Sequence, residues 1–340
     1  MRRSRLRPWL LALVTPVVLQ AERLPDHRQP EFSTGVELVT VPVTVTSRDR
    51  KTSIGELLPA DFEVFDDGRR QVVATLTRKR RPLSLSLVVD SSGSMTLGNR
   101  RELTIEAVRS IVGALQPEDE IAILFFGETI ETRLPWTRIA SISRVNWAGW
   151  NPYGNTPLND GLRAGLRSID EARNARRAIV LLTDGFENAS RESTSSIVRT
   201  RQQSEATIYA LGIGSANMAD VKADDQHVRT QMGRSSTDLV RQIDGAVPGV
   251  PAAAPPPVLP NFDYLELLVG DSGGSVTRVL SLPEATAASR GVVNELEHEY
   301  LVGYVPDAPP DGRYHRLKVE IKRRGLSIRH RGGYLAIQSP

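Results

Sequence analysis

Five short, almost purely apolar runs in the middle of the chain constrain its fold more than any other feature. Each is about four to six residues long, and helical periodicity separates most of them: Leu85–Val89, Ile121–Phe126, Ala178–Leu182, Ile208–Ile213 and Val276–Leu280. Strands that are buried on both faces of a parallel sheet have this composition. Residues 83–300 are therefore predicted to form an α/β domain with a doubly wound, mostly parallel sheet. A Pro/Ala-rich insertion at 215–262 interrupts this pattern, and its role stays open.

Two segments outside this region have the alternating pattern of half-buried β-strands. In residues 36–77, the turn signal Asp66-Asp67-Gly68 predicts a hairpin between Phe62–Phe65 and Gln71–Leu76. Residues 300–336 contain three more runs of this kind. Neither segment has enough strands for a stable sheet of its own. We therefore expect the two segments to pair into one small β-sandwich beside the central domain.

The N-terminus has the organisation of an export signal. The basic stretch Met1–Arg7 precedes the apolar run Trp9–Leu19, which is too short for a comfortable membrane span. Cleavage after Ala21 removes a signal peptide of residues 1–21, whereas an uncleaved segment becomes an N-terminal anchor. Either route predicts a secreted or periplasmic, cell-envelope location, with membrane contact only through an uncleaved segment.

The formal net charge of +3 does not indicate an anionic partner. Four of the 43 Lys and Arg residues lie in the signal-like segment, and without them 39 remain against 40 acidic residues. Bulk charge therefore gives no support for nucleic-acid binding, and no nucleic-acid partner is predicted. The chain has no cysteine, which excludes disulfides and thiolate metal sites.

Oxygen-bearing side chains stand where elements of the predicted sheet end or begin. Asp90, Ser92 and Ser94 follow the first buried strand on a tight loop, Thr156 opens a predicted helix, and Asp184 closes another buried strand. Ligands of such sheets bind at the carboxyl ends of the strands, so we expect these five residues to converge. Hydroxyl and carboxylate oxygens suit a hard cation such as Mg²⁺, with Mn²⁺ or Ca²⁺ as alternatives.

Each of these residues also has an ordinary structural explanation. Ser92 and Ser94 are common turn residues, Thr156 before Pro157 suits a helix N-cap, and Asp184 before a glycine suits a turn after a strand. The coincidence of all five at the ends of the correct elements favours a metal site.

The same residues resemble a known family. The pattern D-x-S-x-S over Asp90–Ser94, the G-x-T-P-L threonine Thr156 and the L-x-D-G aspartate Asp184 resemble the metal-ion-dependent adhesion site of von Willebrand factor type A (VWA) domains. Over the whole chain, segments such as Leu58–Val64 and Tyr300–Tyr304 are similar to VWFA-related proteins described as an acidobacterial-type family.

The resemblance implies a role for each residue. Ser92 and Ser94 would bind the metal directly, Thr156 directly or through water, and Asp90 and Asp184 mainly through bound waters. One coordination position would stay open, and an Asp or Glu carboxylate from a protein partner would complete it. Because the direct ligands are largely neutral hydroxyls, the ion stays electron-poor and attracts an anion.

These expectations describe a binding module and not an enzyme. A metal-dependent hydrolase is one alternative; it needs a general base, for which Glu187 is the nearby candidate, although we expect Glu187 to lie on the surface. A structural role, in which the ion only braces the fold, is another. The protease-like segment Gly270–Gly274 lacks the patterned histidine and aspartate that a serine protease requires. The five histidines show no ligand spacing.

Three aromatic residues precede Thr156. Trp147, Trp150 and Tyr153 fit core packing and a recognition surface around an open metal position equally well. The sequence leaves both interpretations open.

Overall fold

The computed structural model describes residues 38–47, 54–78, 80–215 and 259–337. The predicted export segment and nearly all of the insertion lie outside the described residues. Within the described part, no helix is both long and apolar enough to cross a membrane.

The described elements number fourteen strands and five α-helices. The strands are β1 (Val39–Ser47), β2 (Phe62–Asp66), β3 (Arg69–Gln71), β4 (Val73–Thr77), β5 (Leu83–Asp90), β6 (Glu120–Phe126), β7 (Ile130–Arg138), β8 (Arg176–Thr183), β9 (Thr207–Ile213), β10 (Val276–Val279), β11 (Tyr300–Tyr304), β12 (Tyr314–Ile321), β13 (Leu326–His330) and β14 (Gly333–Leu335). The helices are α1 (Arg100–Ala114), α2 (Leu158–Asp170), α3 (Thr194–Gln203), α4 (Phe262–Val269) and α5 (Leu282–Glu297).

A six-stranded sheet in the order β10-β9-β8-β5-β6-β7 forms the centre of the α/β domain. Its neighbouring strands are parallel except for β6 and β7, which are antiparallel. All five predicted apolar runs are strands of this sheet. The predicted α/β class with a mostly parallel sheet is confirmed.

Helices cover both faces of this sheet. Leu85 and Leu87 of β5 point into one core with α1 and α5, whereas Val88 points into a second core with α2, α3 and α4. Every residue of β5, β6 and β9 is buried. Burial on both faces explains why these strands are continuous apolar runs and do not alternate.

The two flanking β segments pair with each other in two four-stranded sheets. One sheet has the order β13-β1-β11-β4 and the other β14-β12-β2-β3. Residues of both sheets share one apolar core, including Val41, Val64, Val302 and Val319. The first and last parts of the described chain thus build one sandwich.

The predicted strand Gln71–Leu76 is not one strand. It divides at Val72, which is 84% exposed. β3 stays beside β2, and β4 crosses to the other sheet to pair with β11. Val73 and Leu76 of β4 pack against the core of the sandwich, whereas Val72 at the break faces solvent.

Candidate metal centre

Adjacent strands place the two aspartates at the same sheet edge. Asp90 is the last residue of β5, and Asp184 directly follows β8, which pairs with β5 in parallel. Thr183 Oγ1 donates a hydrogen bond to Asp90 Oδ2 across this pair, at 2.6 Å. The carboxyl ends of two central strands therefore meet where ligands of such sheets bind.

Backbone contacts join the three loops that carry the predicted residues. The Gly93 amide donates to the Gly154 carbonyl at 3.0 Å, which fixes the Asp90–Ser94 loop against the segment before α2. Thr156 and Asn188 exchange two bonds: the Thr156 amide donates to Asn188 Oδ1 at 2.8 Å, and the Asn188 amide to the Thr156 carbonyl at 3.2 Å.

The three hydroxyl groups do little for the local backbone. Ser92 Oγ and Ser94 Oγ lie 3.1 Å apart, and the Ser92 side chain makes no cap bond to the turn that follows it. In the part of the chain that the structure describes, Thr156 Oγ1 is buried and has no hydrogen-bond partner, so Thr156 does not act as a helix cap. Because buried hydroxyls normally have partners, the Thr156 hydroxyl oxygen fits a role as a ligand of a cation.

The two carboxylates are buried and close enough to influence each other. Asp90 Oδ1 accepts the Ser92 amide at 2.8 Å, and Asp184 Oδ1 accepts the Phe186 amide at 3.2 Å. Burial, and after it the negative charge of Asp184, raises the pKa of Asp90 to about 7, although hydrogen bonds from Ser92 and Thr183 lower it. Two adjacent buried carboxylates and neutral hydroxyls fit the preferences of a hard divalent cation.

Arg100, the first residue of α1, also reaches this edge. Its Nη1 donates to Asp184 Oδ2 at 2.7 Å and to the Ser94 carbonyl at 3.1 Å. The arginine is only 1% exposed, and its Nε and Nη2 are buried without hydrogen-bond partners. A cationic side chain therefore stands beside the candidate ligands.

The centre is closed in this conformation. The five predicted residues are at most 1% exposed: Asp90, Ser92, Ser94, Thr156 and Asp184. Of the aromatic residues before Thr156, Trp150 packs in the core and donates from Nε1 to Ser91 Oγ at 3.1 Å, and Trp147 packs against it. Tyr153 is 60% exposed, and its amide donates to the Ser91 carbonyl. Core packing therefore accounts for both tryptophans, and Tyr153 alone faces solvent.

Glu187, the candidate general base of an enzyme, is half-buried and not on the surface as we expected. Its carboxylate accepts three backbone amides, those of Asn159, Ala189 and Ser190, and the Ser190 hydroxyl. These bonds fasten the loop after β8 to the start of α2.

A second cluster of potential metal ligands lies in the sandwich. Atoms of Asp66, Asp67 and His315 lie within 4.8 Å of one another, an arrangement that the spacing of the histidines in sequence does not predict. The hydroxyls of Tyr304 and Tyr334 donate to Asp66 Oδ2 at 2.8 and 2.9 Å, and His315 Nδ1 lies 3.3 Å from Asp66 Oδ1. The protein itself thus provides partners for the buried carboxylate.

The protease-like segment is a structural turn. Ser272 Oγ accepts the Ile208 amide at 3.1 Å and donates to the Ile208 carbonyl at 3.3 Å. A side chain on Gly274 would collide with the Ile208 backbone. The serine and glycine therefore fasten this turn to β9.

Three residues of the centre were missed at the sequence level: Arg100, Thr183 and Asn188. Arg100 and Arg101 carry positive charge in the first turn of α1, where the helix dipole disfavours it. That conflict is a usable signal that Arg100 has an anionic partner. Thr183 and Asn188 gave no comparable signal, because polar residues are ordinary at the end of a strand and in the loop that follows it.

Comparison with known proteins supports one family. Residues 85–236 match the model of the von Willebrand factor type A domain. Inter-alpha-trypsin inhibitor heavy chain H3 of Homo sapiens is 28% identical over 149 residues, which cover 39% of this chain and 17% of that protein. Heavy chain H2 of Homo sapiens is 27% identical over 218 residues, which cover 58% and 21%. The matches thus span about a fifth of these curated relatives.

Solved structures are similar at a lower level. A von Willebrand factor type A structure from Catenulispora acidiphila is 12% identical, with a TM-score of 0.45, and the match covers 87% of this chain and 74% of that one. The PilB minor pilin from Streptococcus sanguinis is 14% identical, with a TM-score of 0.39, over 65% and 63%. The family match thus identifies a von Willebrand factor type A domain at residues 85–236 of this chain, a range that includes most of the doubly wound sheet.

Proposed function

We propose that this chain is an exported, non-catalytic binding protein that holds one divalent cation, of the Mg²⁺ type, at Asp90, Ser92, Ser94, Thr156 and Asp184. Through that ion it binds an Asp or Glu carboxylate of a protein partner. The observation that carries the proposal is the buried Thr156 Oγ1, which has no hydrogen-bond partner beside two serine hydroxyls and two buried carboxylates. When bound, the ion supplies a positive centre for a carboxylate oxygen.

The arrangement of Glu187 favours binding over hydrolysis. A general base needs a free carboxylate oxygen beside the attacking water. Glu187 Oε1 accepts the amides of Ala189 and Ser190, and Oε2 accepts the Asn159 amide and the Ser190 hydroxyl. Both oxygens are thus engaged in holding the loop.

A bracing role is the second candidate, because one specific observation favours it. All five proposed ligands are at most 1% exposed, so a partner reaches the ion only after the surrounding loops move. In the bracing model the ion stabilises the fold and never meets a partner.

Thr156→Ala separates the two candidates. The hydroxyl has no hydrogen-bond partner among the residues that the structure describes, so its loss leaves the metal-free fold nearly as stable as before. We expect capture of the partner from the native envelope fraction to fall at least tenfold, to the level seen with wild-type protein in EDTA. Quantitative mass spectrometry of the captured proteins, together with urea unfolding in Mg²⁺ and in EDTA, measures both properties.

Thr200→Ala is the matched control, because it removes a hydroxyl from α3, outside the centre. It should retain Mg²⁺-dependent capture. Partner capture that resists both EDTA and Thr156→Ala contradicts metal-mediated binding. Loss of Mg²⁺-dependent stability without loss of a partner identifies bracing instead.

Export is the part of the proposal that rests on the sequence alone. The basic and apolar segments of residues 1–21 support it. Intact-mass analysis of the protein from its native source should find it in the envelope or secreted fraction, either beginning after Ala21 or retaining the full segment. Recovery of the full chain only from the cytoplasm contradicts export.

A further inference from the structure

Among the described residues, every hydrogen-bond partner of the buried Arg100 guanidinium belongs to the candidate metal centre. Nη1 lies 2.7 Å from Asp184 Oδ2 and 3.1 Å from the Ser94 carbonyl. Both members of the Arg100–Asp184 ion pair are only 1% exposed. Screening by solvent is therefore weak, and the arginine acts strongly on any charge that binds beside it.

The arginine is incompletely satisfied in this position. Its Nε and Nη2 are buried and have no hydrogen-bond partners within the described ranges, and the same is true of Thr156 Oγ1. A guanidinium has five N–H donors, and here only Nη1 donates hydrogen bonds. A buried arginine that served only to stabilise the fold would be expected to use more of its donors. The free N–H donors can bind an acceptor such as a water or an anion, and the free hydroxyl can serve as a ligand of a cation.

The charges at the centre give the arginine a specific consequence. With Asp90 and Asp184 ionised, the two carboxylates would neutralise a divalent ion by themselves. Arg100 adds one positive charge, so the ion, the two carboxylates and the arginine together carry a net charge of about +1. A carboxylate ligand would restore neutrality. The same positive charge repels the divalent ion and occupies an oxygen of Asp184.

We propose that Arg100 is a resident counter-ion of the metal centre, which competes with the divalent cation for Asp184 and makes the loaded centre depend on an acidic ligand. The proposal rests on the proposed metal site. It assigns to Arg100 a positioning and charge-setting role, without direct contact between arginine and partner.

The test is Mn²⁺ binding to the full chain, measured by calorimetry on wild-type protein, Arg100→Met and Arg100→Lys. Arg100→Met removes the charge and should bind Mn²⁺ at least tenfold more tightly than wild type. Arg100→Lys keeps the charge and should stay within about threefold of wild type. Arg109→Met is the control, since it removes one charge from the same helix at a side chain that is 73% exposed, and should leave the affinity unchanged.

Loss of Arg100 also leaves Asp184 buried without its cation, so Arg100→Met should be less stable than wild type in EDTA. Saturating Mn²⁺ should then raise its melting temperature by more than that of wild type. If the variant is unfolded in EDTA, Mn²⁺ should restore the folded circular-dichroism spectrum. Failure of Mn²⁺ to restore it overturns the proposal.

Acetate provides a minimal carboxylate for the second readout. Replacing chloride by acetate at equal ionic strength should tighten Mn²⁺ binding by wild type and leave Arg100→Met nearly unchanged. An equal effect of acetate on both proteins overturns the dependence on an acidic ligand.

The outcomes distinguish this proposal from the one before it. Equal or weaker Mn²⁺ binding by folded Arg100→Met, beside clear binding by wild type, overturns the role of Arg100 and leaves the metal site standing. Absence of Mn²⁺ binding from every variant and from wild type overturns both.

Discussion

Thr183 holds the Asp90 carboxylate at the edge of the sheet. The hydroxyl donates to Asp90 Oδ2 at 2.6 Å and accepts the Gly185 amide at 3.1 Å, and the residue is fully buried. Thr183→Val keeps the shape of the side chain but leaves both groups without this partner. We expect a loss of about 1–3 kcal/mol in the free energy of unfolding, measured in urea with EDTA present.

Thr132→Val on β7 is the matched control, because Thr132 is exposed on an edge strand. Its effect should stay within about 0.5 kcal/mol. Equal losses from the two variants would mean that the bond to Asp90 contributes nothing to stability.

At the scale of residues, the sequence predicted oxygen ligands but not the groups around them. The D-x-S-x-S spacing and the two strand ends are local features, so Asp90, Ser92 and Asp184 could be proposed as ligands from their positions in the sequence. The contact from Arg100 to Asp184 spans 84 residues and depends on how α1 meets the edge of the sheet. Such a contact leaves no periodic trace in the sequence.

Two glycines let α2 approach the sheet closely. A side chain at Gly161 would meet the Phe126 ring at 2.6 Å, and one at Gly165 would meet Val88 Cγ2 at 2.6 Å. Gly161→Ala should therefore lower the free energy of unfolding by about 1–3 kcal/mol through overpacking, despite the better helix propensity of alanine. Urea unfolding measures the change.

Gly291 of α5 offers the reverse case, because a side chain there meets nothing within 4 Å. Gly291→Ala should raise the stability by about 0.5–1 kcal/mol. Stabilisation by both substitutions would show that α2 does not pack on the sheet as closely as described.

His315 ties β12 to the turn after β2. Partial burial lowers its pKa, but the hydrogen bond to Asp311 and the charge of Asp66 outweigh that effect, so the pKa is raised. A histidine with a raised pKa contributes stability that is fully present below its unfolded pKa of about 6.5, and that is lost as pH rises through the folded pKa.

The stability difference between wild type and His315→Gln should therefore be largest in mildly acidic solution and shrink between about pH 6 and pH 8. Urea unfolding at a series of pH values measures it. Burial lowers the pKa of His330, but His330 is present in both proteins, so its contribution to stability cancels in the difference between them. A difference that is constant with pH contradicts the charge interaction at His315.

Helices and strands could be predicted where burial produces a regular pattern of apolar residues in the sequence. Strands β5, β6, β8 and β9 are buried on both faces and appear as apolar runs. The edge strand β7 was missed, since it is largely exposed, contains Pro135 and has no regular apolar period. The crossing at Val72 was also missed, because the choice of partner strand depends on distant residues.

At the scale of the whole molecule, strands from both ends of the described chain depend on each other. β1 pairs with β11 through Val39–Val43 and with β13 through Val43–Ser47. Truncation after Arg324 removes β13 and β14, which leaves β1 half unpaired and takes from β12 one of its neighbours. Hydrogen exchange should show lost protection in β1, β2, β11 and β12, with β5, β6 and β8 still protected.

If the truncated protein lost amide protection in the central sheet as well, the sandwich and the central sheet would not be independently stable. The central sheet has its own two cores, separate from the core of the sandwich. The presence of a central α/β domain and of a β-sandwich follows from patterns in the sequence. The order of the strands in the sandwich does not, because many pairings satisfy the same alternation of apolar and polar residues.

Anomalous diffraction from crystals of the full chain grown with Mn²⁺ tests the central claim most directly. The account predicts one strong peak about 2.0–2.2 Å from the hydroxyl oxygens of Ser92 and Ser94. Absence of a peak there, or a peak only at Asp66, Asp67 and His315, would contradict it.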